Sequence, residues 1–152
     1  MKDVVRELHQ IVADYEKKIG AIPDFEFSAK PLPAKWSKKE VLGHLIDSAQ
    51  NNLRRFICGQ YEAAPPFIVY RQDFWVEIND YQSMHKQDLV DLWRLMNLRI
   101  CAVLTKMPPA NYSRQCDSGA LHTLEWLAAD YIKHLKHHLN QIISGSFDVI
   151  YK

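Results

Sequence analysis

Asp130-Tyr131-Ile132-Lys133-His134-Leu135-Lys136-His137-His138-Leu139-Asn140-Gln141 carries three of the seven histidines in a chain of 152 residues. Around it, Leu124, Leu127, Tyr131, His134, His138 and Ile142 recur in steps of three and four, the stripe of an α-helix that turns one face to a core. His134 and His138 stand four residues apart, so their rings project the same way from adjacent turns and can grip one metal ion. They take places where a helical bundle normally puts Leu. The stretch is therefore both an element of an all-helical fold and half of a metal site, with His137 falling off the stripe. Thr123 is a plausible N-cap for this helix, which runs to about residue 144 before Gly145.

Working outward, three more long helices are predicted. The first covers residues 1–18, because Val4, Leu8, Ile11, Tyr15 and Ile19 keep helical spacing, and Gly20 ends it. Pro23, Pro31 and Pro33 make residues 21–35 an extended crossing. Trp36-Ser37-Lys38-Lys39-Glu40-Val41 then announces a helix start: Ser37 and Glu40 can close a capping box, and Trp36 can staple onto Val41. That second helix runs to residue 57 or 58 and stops at Gly59, with Leu42, Leu45, Ile46, Ala49, Leu53 and Phe56 as its apolar face. His44 points away from this face, with Val41, Ser48, Asn51 and Arg55, and periodicity alone makes it solvated.

Residues 60–85 are rich in proline and aromatic side chains, with a short helix expected over 71–78. Such a segment is a lid, a partner surface or a simple closure of the bundle end. The third long helix spans residues 86–106, its seam drawn by Leu89, Leu92, Met96, Ile100, Val103 and Met107, and Pro108-Pro109 terminates it. Residues 110–122 suit a loop or a short hairpin. Four long helices with two long crossings predict one four-helix-bundle domain over residues 1–152.

Composition narrows the function. A chain of this length buries roughly two-thirds of its unfolded surface and needs neither disulfide nor metal to fold. Nineteen basic and 18 acidic side chains leave a net charge of +1, which offers nothing to nucleic acid or an anionic membrane, and no apolar run approaches the ~20 residues of a membrane span. A small-molecule substrate fits better. Cys58, Cys101 and Cys116 are odd in number and follow no apolar leader, which points to a reducing, cytoplasmic setting. Cys58 and Cys101 look like apolar filler within helices, whereas Cys116 is expected exposed in its loop.

Two buried imidazoles without partners would cost on the order of 1–3 kcal/mol for each unsatisfied nitrogen, so something must occupy them. Asp130, one turn before His134, and Gln141, three residues after His138, are placed to orient the rings, or else face solvent. Among the basic residues Lys35, Lys38, Lys39, Arg54 and Arg55, most form a solvated face, and Arg55 is the candidate for an anionic substrate group. Trp75, in the aromatic crossing, is a second candidate for contact with substrate.

The pattern Trp36-Ser37-x-x-Glu40-x-x-x-His44-Leu45-x-Asp47, joined to Asp130-Tyr131-x-x-His134-x-x-His137-His138-x-x-Gln141-Ile142, resembles the DinB/YfiT superfamily across essentially the whole chain. The resemblance implies an up-down-down-up bundle and one divalent metal held by His44, His134 and His138. Zinc or nickel heads the candidates, with iron, cobalt and manganese behind them. If His44 is a ligand, the second helix has two buried faces, and Asp47 becomes a further candidate to orient a ring. Family activities imply transfer or isomerisation with a low-molecular-weight thiol such as bacillithiol, mycothiol or glutathione, so the expected function is a thiol-dependent S-transferase, commonly a homodimer. Metal-dependent hydrolysis is the alternative, along with a non-catalytic metal-binding stress-response bundle. For hydrolysis, Glu40 and Asp47 are the only carboxylates near the first motif.

Overall fold

The computed structural model describes residues 1–151. Its helices are, in order, α1 (Lys2–Gly20), α2 (Asp24–Ser28), α3 (Lys38–Tyr61), α4 (Gln72–Asn79), α5 (Lys86–Lys106) and α6 (Leu124–Ile142), with a hairpin of β1 (Gln115–Asp117) and β2 (Leu121–Thr123) before α6. The capping box closes as the sequence requires. Ser37 Oγ accepts from the Glu40 amide at 3.1 Å while the Glu40 carboxylate accepts from the Ser37 amide at 2.8 Å. Thr123 caps α6 by accepting from the Trp126 amide at 3.1 Å.

Directions follow from the contacts at the helix ends. α3 and α5 start at the same end of the bundle, where Ser37 Oγ donates to Gln82 Oε1 at 2.8 Å and Lys39 Nζ to the Gln82 carbonyl at 2.9 Å. α1 runs against α5, since Lys86 Nζ donates to the Ile22 carbonyl at 2.7 Å and Arg94 pairs with Glu16 at 3.3 Å. α6 runs against α3, with His134 beside His44 and Leu124 against Gly59. The bundle is thus up-down-down-up, and each of α3 and α1 packs on both α5 and α6.

Several boundaries and phases differ from those periodicity predicts. The 21–35 crossing holds the short helix α2, whose Phe27 is fully buried. α3 continues through Gly59 to Tyr61: a Cβ at Gly59 would lie 2.7 Å from Leu124 Cδ2, so this glycine serves close packing rather than termination. The seam of α5 runs through Leu89, Trp93, Asn97, Ile100 and Leu104, leaving Leu92 exposed and Met96 and Val103 half-buried. A polar core position was invisible to an apolar count. Asn97 is satisfied there, accepting from Tyr131 Oη at 2.6 Å and donating to the Trp93 carbonyl at 2.8 Å. In α6 it is Leu135 and Leu139 that fill the core, and the histidines sit one residue round the helix, towards α3. Cys116 is buried rather than exposed, because β1 pairs with the 60–85 crossing: Ile68 N donates to the Asp117 carbonyl and Asp117 N to that of Pro66, both at 2.9 Å.

That crossing is pinned to α3 by Tyr81. Its ring lies on Gly43, where any Cβ would fall 2.0 Å from Tyr81 Cδ2, and its hydroxyl donates to Asp47 Oδ1 at 2.5 Å. None of the described helices is long and apolar enough to cross a membrane.

Candidate metal centre

α3 buries every residue from Val41 to Ala49, so it presents two faces to the interior. Leu42, Leu45, Ile46 and Ala49 belong to the apolar core. The other face carries His44, Ser48, Asn51, Asn52 and Arg55, all at most 9% exposed, which corrects the solvated placement that periodicity assigns to His44. A simple one-stripe count fails for a helix covered on both sides.

His44, His134 and His138 converge. Each offers a ring nitrogen within 4.8 Å of the others, and His44 Nε2 is 3.2 Å from His134 Nε2. Two nitrogens at ~2.0–2.1 Å from one tetrahedral ion lie roughly 3.3 Å apart, so this pair already has the spacing a metal requires. Burial pushes His44 down to about 3 and His134 to about 2, with the other imidazoles adding to the effect. Burial likewise lowers His138. At neutral pH the three rings are uncharged with lone pairs available, the state that metal binding demands. His44 Nδ1 is buried without a hydrogen-bond partner among the described residues, a cost more easily borne where Nε2 gains a strong ligand bond.

Outer contacts set the tautomers. Gln141 Oε1 can only accept, so at 3.2 Å the Nδ1–H of His138 donates to it and Nε2 is left as the lone-pair nitrogen. The Gln141 amide nitrogen reaches His137 Nε2, also at 3.2 Å, and so ties the flanking ring to the site. Ser48 Oγ stands 3.4 Å from His134 Nδ1. Trp36 lies over His44 with ring centroids 5.1 Å apart.

The carboxylates are placed otherwise. Asp47 makes no hydrogen bond to a histidine among the described residues: Oδ1 accepts from Tyr81 Oη and from Asn79 Nδ2 (3.2 Å), and Oδ2 is buried without a partner there. Burial, outweighing the Tyr81 hydrogen bond, pushes its carboxyl up to about 6. Asp130 accepts from Tyr151 Oη at 3.1 Å rather than from an imidazole. The ring of Tyr151 packs on His134 (5.3 Å between centroids) and His137 (5.8 Å). Tyr151 escapes a motif search because it lies beyond the last helix; Trp36 opens the first motif, and the tertiary fold brings both rings to the histidines.

Beside His138 and Gln141 opens a cleft of about 740 Å³, walled by Trp36, Val41, Pro31 and Asp73 and rimmed by Lys30 and Lys35. Trp75 is half-buried against Tyr70, at 5.5 Å between centroids, and its neighbours Gln72 and Asp73 reach the cleft instead. Arg55 is buried further along α3, bound to the Ile68 carbonyl and Asn52.

Known proteins share this architecture. The chain is similar to the Bacillus subtilis protein named "Putative metal-dependent hydrolase YfiT", at 23% identity over 141 residues, 91% of this chain and 79% of that protein. A protein of the same description from Oceanobacillus iheyensis is 28% identical over 112 residues, 72% of this chain and 64% of its own length. The solved structure of Bacillus subtilis YfiT, described as having an unusual four-helix bundle topology, superposes with a TM-score of 0.82 at 22% identity over 93% of this chain and 82% of that one. A mycothiol-dependent maleylpyruvate isomerase shares the fold with a TM-score of 0.71 at 11% identity, over 91% of this chain and 59% of the isomerase. The family model for the DinB superfamily matches residues 7–142, a span that takes in the three converging histidines and nearly all of the bundle, and the chain belongs to that superfamily.

Proposed function

We propose that the protein is a metal-dependent enzyme acting on a small molecule, with His44, His134 and His138 holding one divalent ion, zinc or nickel. The convergence of three neutral ring nitrogens, without any carboxylate among them, carries this reading. Such an ion supplies Lewis-acid charge that keeps a bound thiol or water deprotonated near neutral pH. The chain's own residues do the rest. Gln141 holds His138 in one tautomer, Ser48 steadies His134, and Trp36 excludes water from His44. The cleft beside His138 admits the substrate.

Of the chemistries this centre serves, transfer from a low-molecular-weight thiol asks least of the protein, because a thiolate needs only the metal. Hydrolysis also benefits from a positioned general base, and Asp47 and Asp130 are each committed to a tyrosine. The description shared by the two curated relatives favours hydrolysis as the second reading. Three free cysteines support a reducing compartment, and exposed Phe67, Phe74 and Ile78 support a homodimer, which sedimentation would check.

Elemental analysis of the purified protein and of His138→Ala tests the centre; equal metal content in both would refute it. Bacillithiol, mycothiol and glutathione should then be assayed with an electrophile such as monochlorobimane on the metal-loaded protein. Loss of thiol in step with product supports the transferase, and no consumption of any of them removes it in favour of hydrolysis.

A further inference from the structure

Arg55 sits on the same inward face of α3 as His44 and Ser48, roughly 10 Å of helix rise beyond Ser48. Only 9% of it reaches solvent. Its guanidinium stays ionised at physiological pH, and an interior charge is normally matched by a counter-charge or reserved for a ligand. All three hydrogen bonds it makes go to neutral oxygens: Nε and Nη2 donate to the Ile68 carbonyl at 3.0 and 2.8 Å, and Nη1 to Asn52 Oδ1 at 3.3 Å. It forms no ion pair among the described residues.

No acid among the described residues pairs with it directly. Asp130 acts on its charge only through space, without an ion pair, and one of its carboxylate oxygens accepts from the Tyr151 hydroxyl. The Tyr70 phenol and the Cys116 thiol are pushed up by burial and stay protonated at neutral pH. Arg55 is also joined to the histidines. Asn52, which accepts from Nη1, donates to Ser48 Oγ at 3.4 Å, and Ser48 Oγ stands 3.4 Å from His134 Nδ1. A chain of polar contacts therefore runs from the guanidinium to the imidazoles. Tyr151, packed on His134 and bonded to Asp130, covers this side of the imidazoles.

We infer that Arg55 is an anion subsite of this centre: the substrate carries a carboxylate that Arg55 binds while the reactive end of the same molecule faces His44, His134 and His138. A carboxylate is favoured over a bulkier anion because its two coplanar oxygens match the one N–H left on each of Nη1 and Nη2 once Ile68 and Asn52 have taken the other three. The placement of the reactive end rests on the proposed metal centre; the carboxylate contact does not.

The test is calorimetric. Succinate, glutarate and adipate are titrated into the zinc-loaded protein beside their monoamides, which keep one carboxylate for the metal and lose the other. At least one diacid should bind tenfold or more tightly than its monoamide. Arg55→Met should abolish that preference at unchanged zinc content, and Arg55→Lys should retain part of it. Equal affinities in the wild type, or full preference in Arg55→Met, would overturn the inference, and the wild-type comparison decides alone if Arg55→Met does not fold. Should the protein hold no zinc, butyrate against butyramide is measured on the metal-free form. A preference for butyrate that Arg55→Lys weakens keeps the subsite and removes only the metal reading, and no preference removes the subsite.

Discussion

Replacing Asp47 by Asn should change how the stability of the metal-free protein depends on pH. Asp47 is completely buried, with Oδ1 bound by Tyr81 and Asn79 and Oδ2 left without a partner. Its carboxyl is raised from 3.8 to about 6, so folding disfavours the ionised form. The sign follows: the native state holds a proton that the unfolded chain has already released, and the contribution of Asp47 to stability falls as pH rises from about 4 to above 6. A shift of this size amounts to about 3 kcal/mol in full, of which about 1.4 kcal/mol falls between pH 5 and pH 7.5. Asn keeps an oxygen for the Tyr81 hydroxyl but does not titrate, and its buried amide adds a penalty of about 1–3 kcal/mol that pH does not change. Urea unfolding of both proteins at pH 5 and pH 7.5 reads the difference. The gap ΔG(Asp47→Asn) minus ΔG(wild type) should rise by about 1.4 kcal/mol over that interval. His44 and His134 titrate identically in both proteins and cancel. A gap that stays constant, or falls, refutes the assignment of Asp47 as a buried, penalised acid.

Gln141→Leu removes the acceptor that fixes His138 and the link to His137, and metal affinity measured against a chelator should drop about 10- to 100-fold with the fold intact. Tyr131→Phe strands Asn97 Oδ1 in the core and should cost about 1–3 kcal/mol by thermal or urea unfolding. Gly59→Ala drives a methyl into Leu124 and should cost about 1–3 kcal/mol, and Leu124→Ala should cost less in that background than in the wild type. Tyr151→Ala uncovers His134 and His137 and should speed metal loss to a chelator, while Tyr151→Phe, keeping the ring, should stay near wild type.

Local chemistry was enough for much of the chain. The Ser37–Glu40 box, Thr123, Pro108-Pro109 and the spacing of Leu and Ile define where the long helices lie, because caps, prolines and a one-sided apolar stripe act over a few residues. The His134–His138 pair is legible for the same reason: an i,i+4 spacing fixes relative position within a single rigid helix. The resemblance to a family added His44, which periodicity alone had turned towards water. What a stripe cannot encode is a second buried face. Only the packing of α6 and the 60–85 crossing over α3 makes His44, Asp47, Ser48 and Arg55 interior, and only the tight α3–α6 contact explains Gly59 as a packing residue rather than a stop. The partners of the carboxylates depend likewise on contacts remote in sequence, since Asp47 meets Tyr81 and Asp130 meets Tyr151. Spacing within a helix is a property of the chain, whereas the neighbours of a buried side chain are set by which other helix arrives to cover it.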